Sequence, residues 1–168
     1  LLYPGLPYRM DEDMTLVPHC NGVDYWMIVR GALSYPTSSL QCRFYSFLIN
    51  PNGMSQNQVP VISATFAPHS QYQGLSALKA NEAGNKLVCK VGGSGSAVYP
   101  GVGIYDFNST TGMVSNEYLL PSMYLDTVAS TYKTLGSVNM AIFSPNGQHL
   151  FVFDYMSPNN CIMQFNTA

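Results

Sequence analysis

Charge is scarce in this sequence. Lys and Arg number seven and Asp and Glu nine among 168 residues, so charged side chains make up 10% of the chain, against about 25% in an average soluble protein. The net charge is −2, and no stripe of basic residues is present to neutralise phosphates or to bind anionic lipid. We therefore expect no nucleic-acid partner.

Long hydrophobic runs are also missing. No apolar stretch approaches the roughly 18 residues that a membrane-spanning helix needs, so membrane insertion is not expected. The first five residues, LLYPG, contain neither a basic region nor a cleavage pattern, and no initiator Met precedes them. Yet 46% of the residues are hydrophobic, which predicts a globular fold with a real core and mostly uncharged polar residues on its surface.

Catalytic and metal-binding motifs are not found. The sequence has no G-x-S-x-G elbow, no H-E-x-x-H helix, no phosphate-cradling loop and no C-x-x-C pair. We predict no catalytic residue, no metal site and no cofactor. The three histidines, His19, His69 and His149, are interpreted as solvated or hydrogen-bonded structural residues, and the acidic cluster 11–13 as a solvated linker.

Four cysteines leave two alternatives open. Most of Cys20, Cys42, Cys89 and Cys161 are interpreted as small buried hydrophobic residues in strands. Alternatively, Cys20 and Cys42 form a disulfide that closes a loop within one unit of the fold, which would be compatible with an oxidising compartment.

An internal repeat is the strongest positive signal. Residues 17–30 (VPHCNGVDYWMIVR), 78–91 (LKANEAGNKLVCKV) and 141–155 (AIFSPNGQHLFVFDY) each predict a strand, a turn that ends in Gly, and a second strand. The turn glycines Gly22, Gly84 and Gly147 lie 62 and 63 residues apart. A second element follows in each unit: FYSFLINPNGM (44–54), GIYDFNSTTGM (103–113) and IMQFN (162–166). Fixed spacing of this kind indicates a repeat architecture.

Each repeat predicts four antiparallel strands. Asn-Gly pairs favour tight hairpin turns with positive φ, and runs rich in Tyr, Phe, Val, Ile and Leu favour strands. The fourth, outer strand is expected near Val59–Ala64 or Tyr118–Leu120. Segment 122–135 suits an irregular connection, a strand or a short helix, and 34–41 and 92–101 are expected to be long loops.

Four antiparallel strands per repeat describe the blade of a β-propeller. We predict an all-β fold of about two and a half blades: a lead-in at 1–13, blades at 14–70 and 71–135, and a partial blade at 136–168. Propellers close with about four to eight blades. The remaining blades are therefore expected from the same chain or from a neighbouring one, and the 168 residues are interpreted as part of a longer protein.

The repeats resemble the WD40-like or YVTN-like β-propellers of large secreted bacterial proteins that carry adhesion-type modules and a sorting domain. The resemblance rests on VPHCNGVDYWMIV (17–29), IYDFNSTTGMVSN (104–116) and FSPNGQHLF (143–151), and it covers residues 14–168. Glu82-Ala83-Gly84 departs from the usual Pro-Asp-Gly turn, and no sorting domain is present. The resemblance implies a secreted or cell-surface location.

A non-enzymatic binding or scaffold module that recognises a protein or a glycan through its loops is the leading functional hypothesis. Tyr99, Tyr124 and Tyr132, in predicted loops, are the candidate contact residues, because tyrosine joins an apolar face to a polar tip. Two alternatives remain, because propellers host many functions: a lactonase or lyase with a metal or His site in the channel, and a structural subunit of a larger assembly.

Overall fold

The computed structural model describes residues 8–33, 42–54, 58–66, 78–91, 101–120, 123–126, 131–134, 138–154 and 161–167. Every regular element within these ranges is a β-strand, and the strands pair antiparallel. The predicted all-β class is therefore confirmed. The strands form three sheets of three or four strands and one hairpin, and none of these sheets closes on itself.

Sheet 1 is a four-stranded meander. Its strands are β1 (Tyr8–Pro18), β2 (Tyr25–Leu33), β3 (Cys42–Ile49) and β4 (Val61–Ile62), hydrogen-bonded in that order. The outer strand lies where the sequence predicts it. Strand β1 begins inside the segment interpreted as a lead-in, because its first residues already pair with the end of β2, Tyr8 opposite Leu33.

Sheet 2 repeats the same order. It comprises β5 (Lys79–Ala80), β6 (Lys86–Val91), β7 (Gly101–Asn108) and β8 (Met113–Leu119). Strand β8 starts directly after the Gly112 turn, so it begins earlier than the predicted outer strand and overlaps it at Tyr118 and Leu119. A bulge between Tyr105 and Asp106 shifts the β7–β8 register, and Asn116 nearby adopts a positive φ of 50°.

Sheet 3 has three strands: β11 (Val138–Phe143), β12 (His149–Asp154) and β13 (Cys161–Asn166). Between sheets 2 and 3 the chain forms a separate two-stranded sheet of β9 (Met123–Asp126) and β10 (Thr131–Thr134). Of the three options for segment 122–135, the strand is therefore the one observed.

Turn chemistry explains the strand boundaries. All five turn glycines that the repeat singles out have positive φ: Gly22, Gly53, Gly84, Gly112 and Gly147. Asparagine side chains complete the turns by accepting backbone N–H groups. Asn21 Oδ1 accepts from Val23 and Asp24 at 3.0 Å, and Asn81 Oδ1 accepts from Asn85 and Lys86 at 3.0 Å. Local sequence therefore fixes where each hairpin reverses.

The core lies between the sheets in two layers. The first contains Trp26, Ile28 and Phe44 of sheet 1 against Leu87 and Tyr105 of sheet 2. The second contains residues of sheets 2 and 3, including Val88, Val102, Ile104, Leu150 and Val152. Sheet 2 is consequently buried on both faces. Sheets 1 and 3 each pack one face against sheet 2, and strand β3 of sheet 1 is buried on its other face as well, at Tyr45 and Phe47.

The first strands of the three sheets are neighbours. Strand β1 contacts β5, and β11 contacts both β5 and β6. At the other side of the stack, β4 contacts β8. Successive meanders thus pack face to face in chain order, each with its first strand beside the first strand of the next. The part of the chain described here contains no helix long and apolar enough to cross a membrane.

Candidate functional site

The β9–β10 hairpin carries two of the three candidate contact residues. Tyr124 pairs with Lys133 and Tyr132 pairs with Leu125. The two tyrosines therefore occupy adjacent register positions on a two-stranded sheet that is separate from the three larger sheets. Tyr99 lies outside the described residues. The structure thus places Tyr124 and Tyr132 on one hairpin but at positions on opposite faces of it, because successive register pairs alternate between faces, whereas the sequence predicts a loop for both.

A second cluster joins sheet 1 to the β7–β8 turn of sheet 2. The indole Nε1 of Trp26 donates to the backbone oxygen of Ser109 at 2.8 Å, and the ring packs on Gly112, where an added Cβ would lie 2.7 Å from it. His19 stacks on the same indole with ring centroids 5.7 Å apart. Its Nδ1 accepts the Asn21 N–H at 3.0 Å. This cluster fixes the docking of two sheets.

A third cluster is buried between sheets 1 and 2. Arg30, which is 5% exposed, donates from Nη1 to the Lys90 backbone oxygen at 2.7 Å and to Cys89 Sγ at 3.6 Å. The Tyr105 hydroxyl donates to Glu117 Oε1 at 2.7 Å. Burial, followed by the Cys89 thiol and the Glu117 carboxylate, raises the pKa of Tyr105 well above its usual value. The phenol is therefore held neutral, as a hydrogen-bond donor.

An ion pair lies at the bulge of sheet 2. Lys86 Nζ donates to Asp106 Oδ1 at 2.5 Å, and Asn116 Nδ2 donates to Asp106 Oδ2 at 2.8 Å. These two hydrogen bonds hold the pKa of Asp106 below its usual value. The positive φ of Asn116 brings its amide to the carboxylate, so the bulge and the ion pair form one structural unit.

The structure does not bring together the two cysteines of the predicted Cys20–Cys42 disulfide. Cys20 is exposed in the turn before β2, whereas Cys42 is buried opposite Ala32, at the far end of the same strand pair. The length of β2 puts about 20 Å between them at about 3.3 Å per residue. A disulfide needs Cα atoms within about 7 Å. The sequence distance between the cysteines carries no information about this register.

The remaining candidates stay apart. His149 lies at the start of β12, where its Nδ1 is 3.4 Å from Gln164 Nε2, and His69 is outside the described residues. Residues 11–13 lie within β1 and not in a linker. In the ranges that the structure describes, no three His, Cys, Asp or Glu side chains converge into a group that could hold a metal ion.

Comparison with known proteins identifies no family for this chain. No family model matches the chain, and no curated protein matches it.

Sequence reasoning missed two features of the sheet 1–sheet 2 interface. A buried Arg30 in the middle of a strand has no sequence signal, because a charged residue normally marks a solvated face. The Tyr105–Glu117 hydrogen bond depends on the β7–β8 register, which the bulge sets. The repeat is the one sequence signal that points to this interface. It places Trp26 four residues after a turn glycine, at the position that packs on the next sheet.

Proposed function

We propose that this chain is part of a β-propeller that serves a secreted or cell-surface protein as a non-enzymatic binding and scaffold module. The observation that carries the proposal is the stack of meander sheets, each with its first strand beside the first strand of the next. Blades around a central channel are related in this way. The resemblance of residues 14–168 to secreted bacterial propellers supports the location.

Exposed apolar residues on the outer sides of sheets 1 and 3 support the same architecture. Leu16 and Tyr25 of sheet 1 are 56% and 47% exposed, and Ile162 of sheet 3 is 70% exposed. Apolar faces of this extent are normally covered. Further sheets, from the same chain or from a neighbouring chain, would cover them and complete the ring.

The β9–β10 hairpin is the element we propose for ligand recognition. It forms a two-stranded sheet of its own, separate from the three stacked sheets. It also offers one tyrosine on each face, Tyr124 and Tyr132, at adjacent register positions. Tyrosine suits binding surfaces because its ring contributes apolar area and its hydroxyl a hydrogen bond. The ligand class we propose is a protein or a glycan.

The test compares the parent chain with a variant in which residues 123–134 are replaced by a Gly-Ser linker. Both proteins are applied to a glycan array and to an array of extracellular proteins. We expect the parent to bind a defined set of ligands and the variant to lose them, while the thermal unfolding midpoint stays within a few degrees. Turnover of lactone substrates in the presence of Ca²⁺ or Zn²⁺ would instead favour the enzyme hypothesis. Equal ligand binding by both proteins would mean that the ligand is bound by a part of the chain other than the β9–β10 hairpin.

A further inference from the structure

The β7–β8 turn of sheet 2 begins with the triplet Asn108-Ser109-Thr110. An Asn that is followed two residues later by Ser or Thr is the acceptor pattern for N-linked glycans, and in folded proteins such a pattern works on the surface. Asn108 is the only asparagine among the 168 residues that has Ser or Thr at this position. Whether the triplet is an acceptor therefore depends on how the turn presents its side chains.

The turn is anchored to sheet 1 through the middle residue of the triplet. The backbone oxygen of Ser109 accepts the Trp26 indole N–H at 2.8 Å and the Cys20 backbone N–H at 3.4 Å. Ser109 is half-buried, whereas Asn108 and Thr110 are exposed. Docking of the two sheets thus holds the turn in place and leaves on the surface the two residues that define the acceptor pattern.

The fold uses one end of the Asn108 amide and leaves the other unused. Its Oδ1 accepts the backbone N–H groups of Thr110 at 2.9 Å and of Thr111 at 3.1 Å, which closes an Asx turn. Within the described ranges of the chain, no group accepts a hydrogen bond from its Nδ2. Glycosylation replaces one hydrogen of Nδ2 and leaves the carbonyl oxygen an acceptor. The modified side chain can therefore keep both turn hydrogen bonds.

The corresponding turn of sheet 1 separates the structural role of this asparagine from the acceptor role. Asn50 opens that turn, and its Oδ1 accepts the Asn52 backbone N–H at 2.9 Å. Pro51 and Asn52 follow it, so the turn has the same cap without the acceptor pattern. Capping thus explains Asn108 but not Thr110, whose hydroxyl makes no hydrogen bond to any residue that the structure describes.

We propose that Asn108 is an N-glycosylation site whose donor is an oligosaccharide carried on a lipid diphosphate at the membrane. In the reaction Nδ2 attacks the anomeric carbon of the first sugar. A carbon–nitrogen bond forms, the bond from that carbon to the diphosphate oxygen breaks, and the lipid diphosphate leaves with the proton that Nδ2 loses. The proposal rests on the secreted or cell-surface location proposed above, because the donor is met on the way out of the cell.

The glycan is attached at the end of sheet 2 that faces away from the connection to the β9–β10 hairpin. Asn108 pairs with Met113 at one end of the β7–β8 pair, and Gly103 pairs with Leu119 at the other. The chain enters the hairpin, which begins at Met123, from the Leu119 end. We therefore expect the glycan to cover the turn and to leave ligand binding by the hairpin unchanged.

Secretion of the protein from yeast, directed by an added signal peptide, tests the acceptor. Intact mass before and after peptide-N-glycosidase treatment detects the glycan, and peptide mass spectrometry locates it. We expect the parent to carry it on Asn108, Thr110→Ala to lack it and Thr110→Ser, which keeps the hydroxyl, to retain it. Both variants preserve the Asn108 cap, so they form a matched pair. A parent secreted without a glycan, or a Thr110→Ala variant still modified at Asn108, would overturn the proposal.

Stability and fluorescence show whether the folded turn accommodates the glycan. The glycosylated parent and the Thr110→Ala variant from the same host are compared by thermal unfolding and by Trp26 emission. We expect the same emission maximum and similar unfolding midpoints, because no described hydrogen bond of Asn108 is lost. A red-shifted emission with a much lower midpoint in the glycosylated form alone would show that the glycan opens the contact between sheets 1 and 2, and would overturn the site.

Isolation of the native protein separates this inference from the proposed function on which it rests. A glycan on Asn108 of protein recovered outside the cell would support both. An unmodified Asn108 in such protein would overturn the glycosylation and leave the proposed function standing. Recovery of the native protein only inside the cell would overturn the secreted location, even where the yeast experiment shows that the turn is an acceptor.

Discussion

Single glycines decide how closely neighbouring sheets approach. At Gly112 a positive φ of 73° and the Trp26 ring both exclude a side chain, whereas Gly147 has a similar φ of 69° and meets only Asn81 Nδ2 at 3.4 Å. We expect Gly147→Ala to cost about 1–2 kcal/mol through backbone strain. Gly112→Ala should add about 1–3 kcal/mol of overpacking against the indole. Urea denaturation of the two variants measures the difference, and equal losses would argue against the Trp26 contact.

Thiol reactivity reports the positions of individual cysteines. Cys20 is exposed, whereas Cys42 and Cys89 are at most 1% exposed. We expect iodoacetamide to alkylate Cys20 within minutes in the native protein and to reach Cys42 and Cys89 only after unfolding, because buried thiols are inaccessible. Peptide mass spectrometry locates the adducts. Denatured, unreduced protein should react at all four cysteines, and recovery of a Cys20–Cys42 peptide pair would contradict the observed register.

The low pKa of Asp106 predicts a pH dependence of stability. Hydrogen bonds from Lys86 and Asn116 stabilise the native carboxylate. This contribution is complete above the unfolded-state pKa of about 4, and it disappears as the pH falls through the lower native-state pKa. We expect Asp106→Asn to destabilise the protein at pH 6, and the gap between parent and variant to shrink below pH 4. Urea unfolding across this range tests it, and a constant gap would contradict it.

The strands and turns that could be predicted are those marked by turn residues or by hydrophobic runs in the local sequence. Gly22, Gly53 and Gly147 each follow an Asn, so their positive φ follows from Asn-Gly turn chemistry, and hydrophobic runs predict the strands beside the turns. Gly84 and Gly112 follow Ala and Thr, and the repeat spacing is what marks them as turn residues. The β9–β10 hairpin could not be predicted, because residues 122–135 contain no Gly and mix Thr and Tyr with helix-compatible residues. Tyr25 shows a further limit. Its strand position suggests burial, yet it is 47% exposed because no other sheet among the described ranges covers its face.

Trp26 fluorescence can report the docking of sheet 1 on sheet 2. Trp26 is the single tryptophan of the chain and is buried in this interface. Gly84→Ala should push Val17 away and separate the two sheets locally. We therefore expect a red shift of tryptophan emission and stronger acrylamide quenching under native conditions.

Gly147→Ala is the control for this measurement. It introduces similar backbone strain at the sheet 2–sheet 3 contact, far from Trp26 along the stack. Its emission should match that of the parent. Equal red shifts in both variants would mean that Trp26 reports global loosening and not the docking of sheet 1.

The whole molecule is a stack in which the middle layer is covered on both sides. Sheet 2 contributes residues to both hydrophobic clusters, whereas sheets 1 and 3 contribute to one each. When layers contact only their neighbours, stability is distributed according to the number of interfaces that each layer makes. Opening sheet 2 requires the loss of two interfaces, and opening an outer sheet requires the loss of one.

Native-state hydrogen exchange should therefore follow the order of the layers. We expect the slowest amides in β6 and β7 and faster exchange in β1, β2, β12 and β13. Uniform protection of all these strands would show that the three sheets unfold as one unit and that the number of interfaces does not set their local stability.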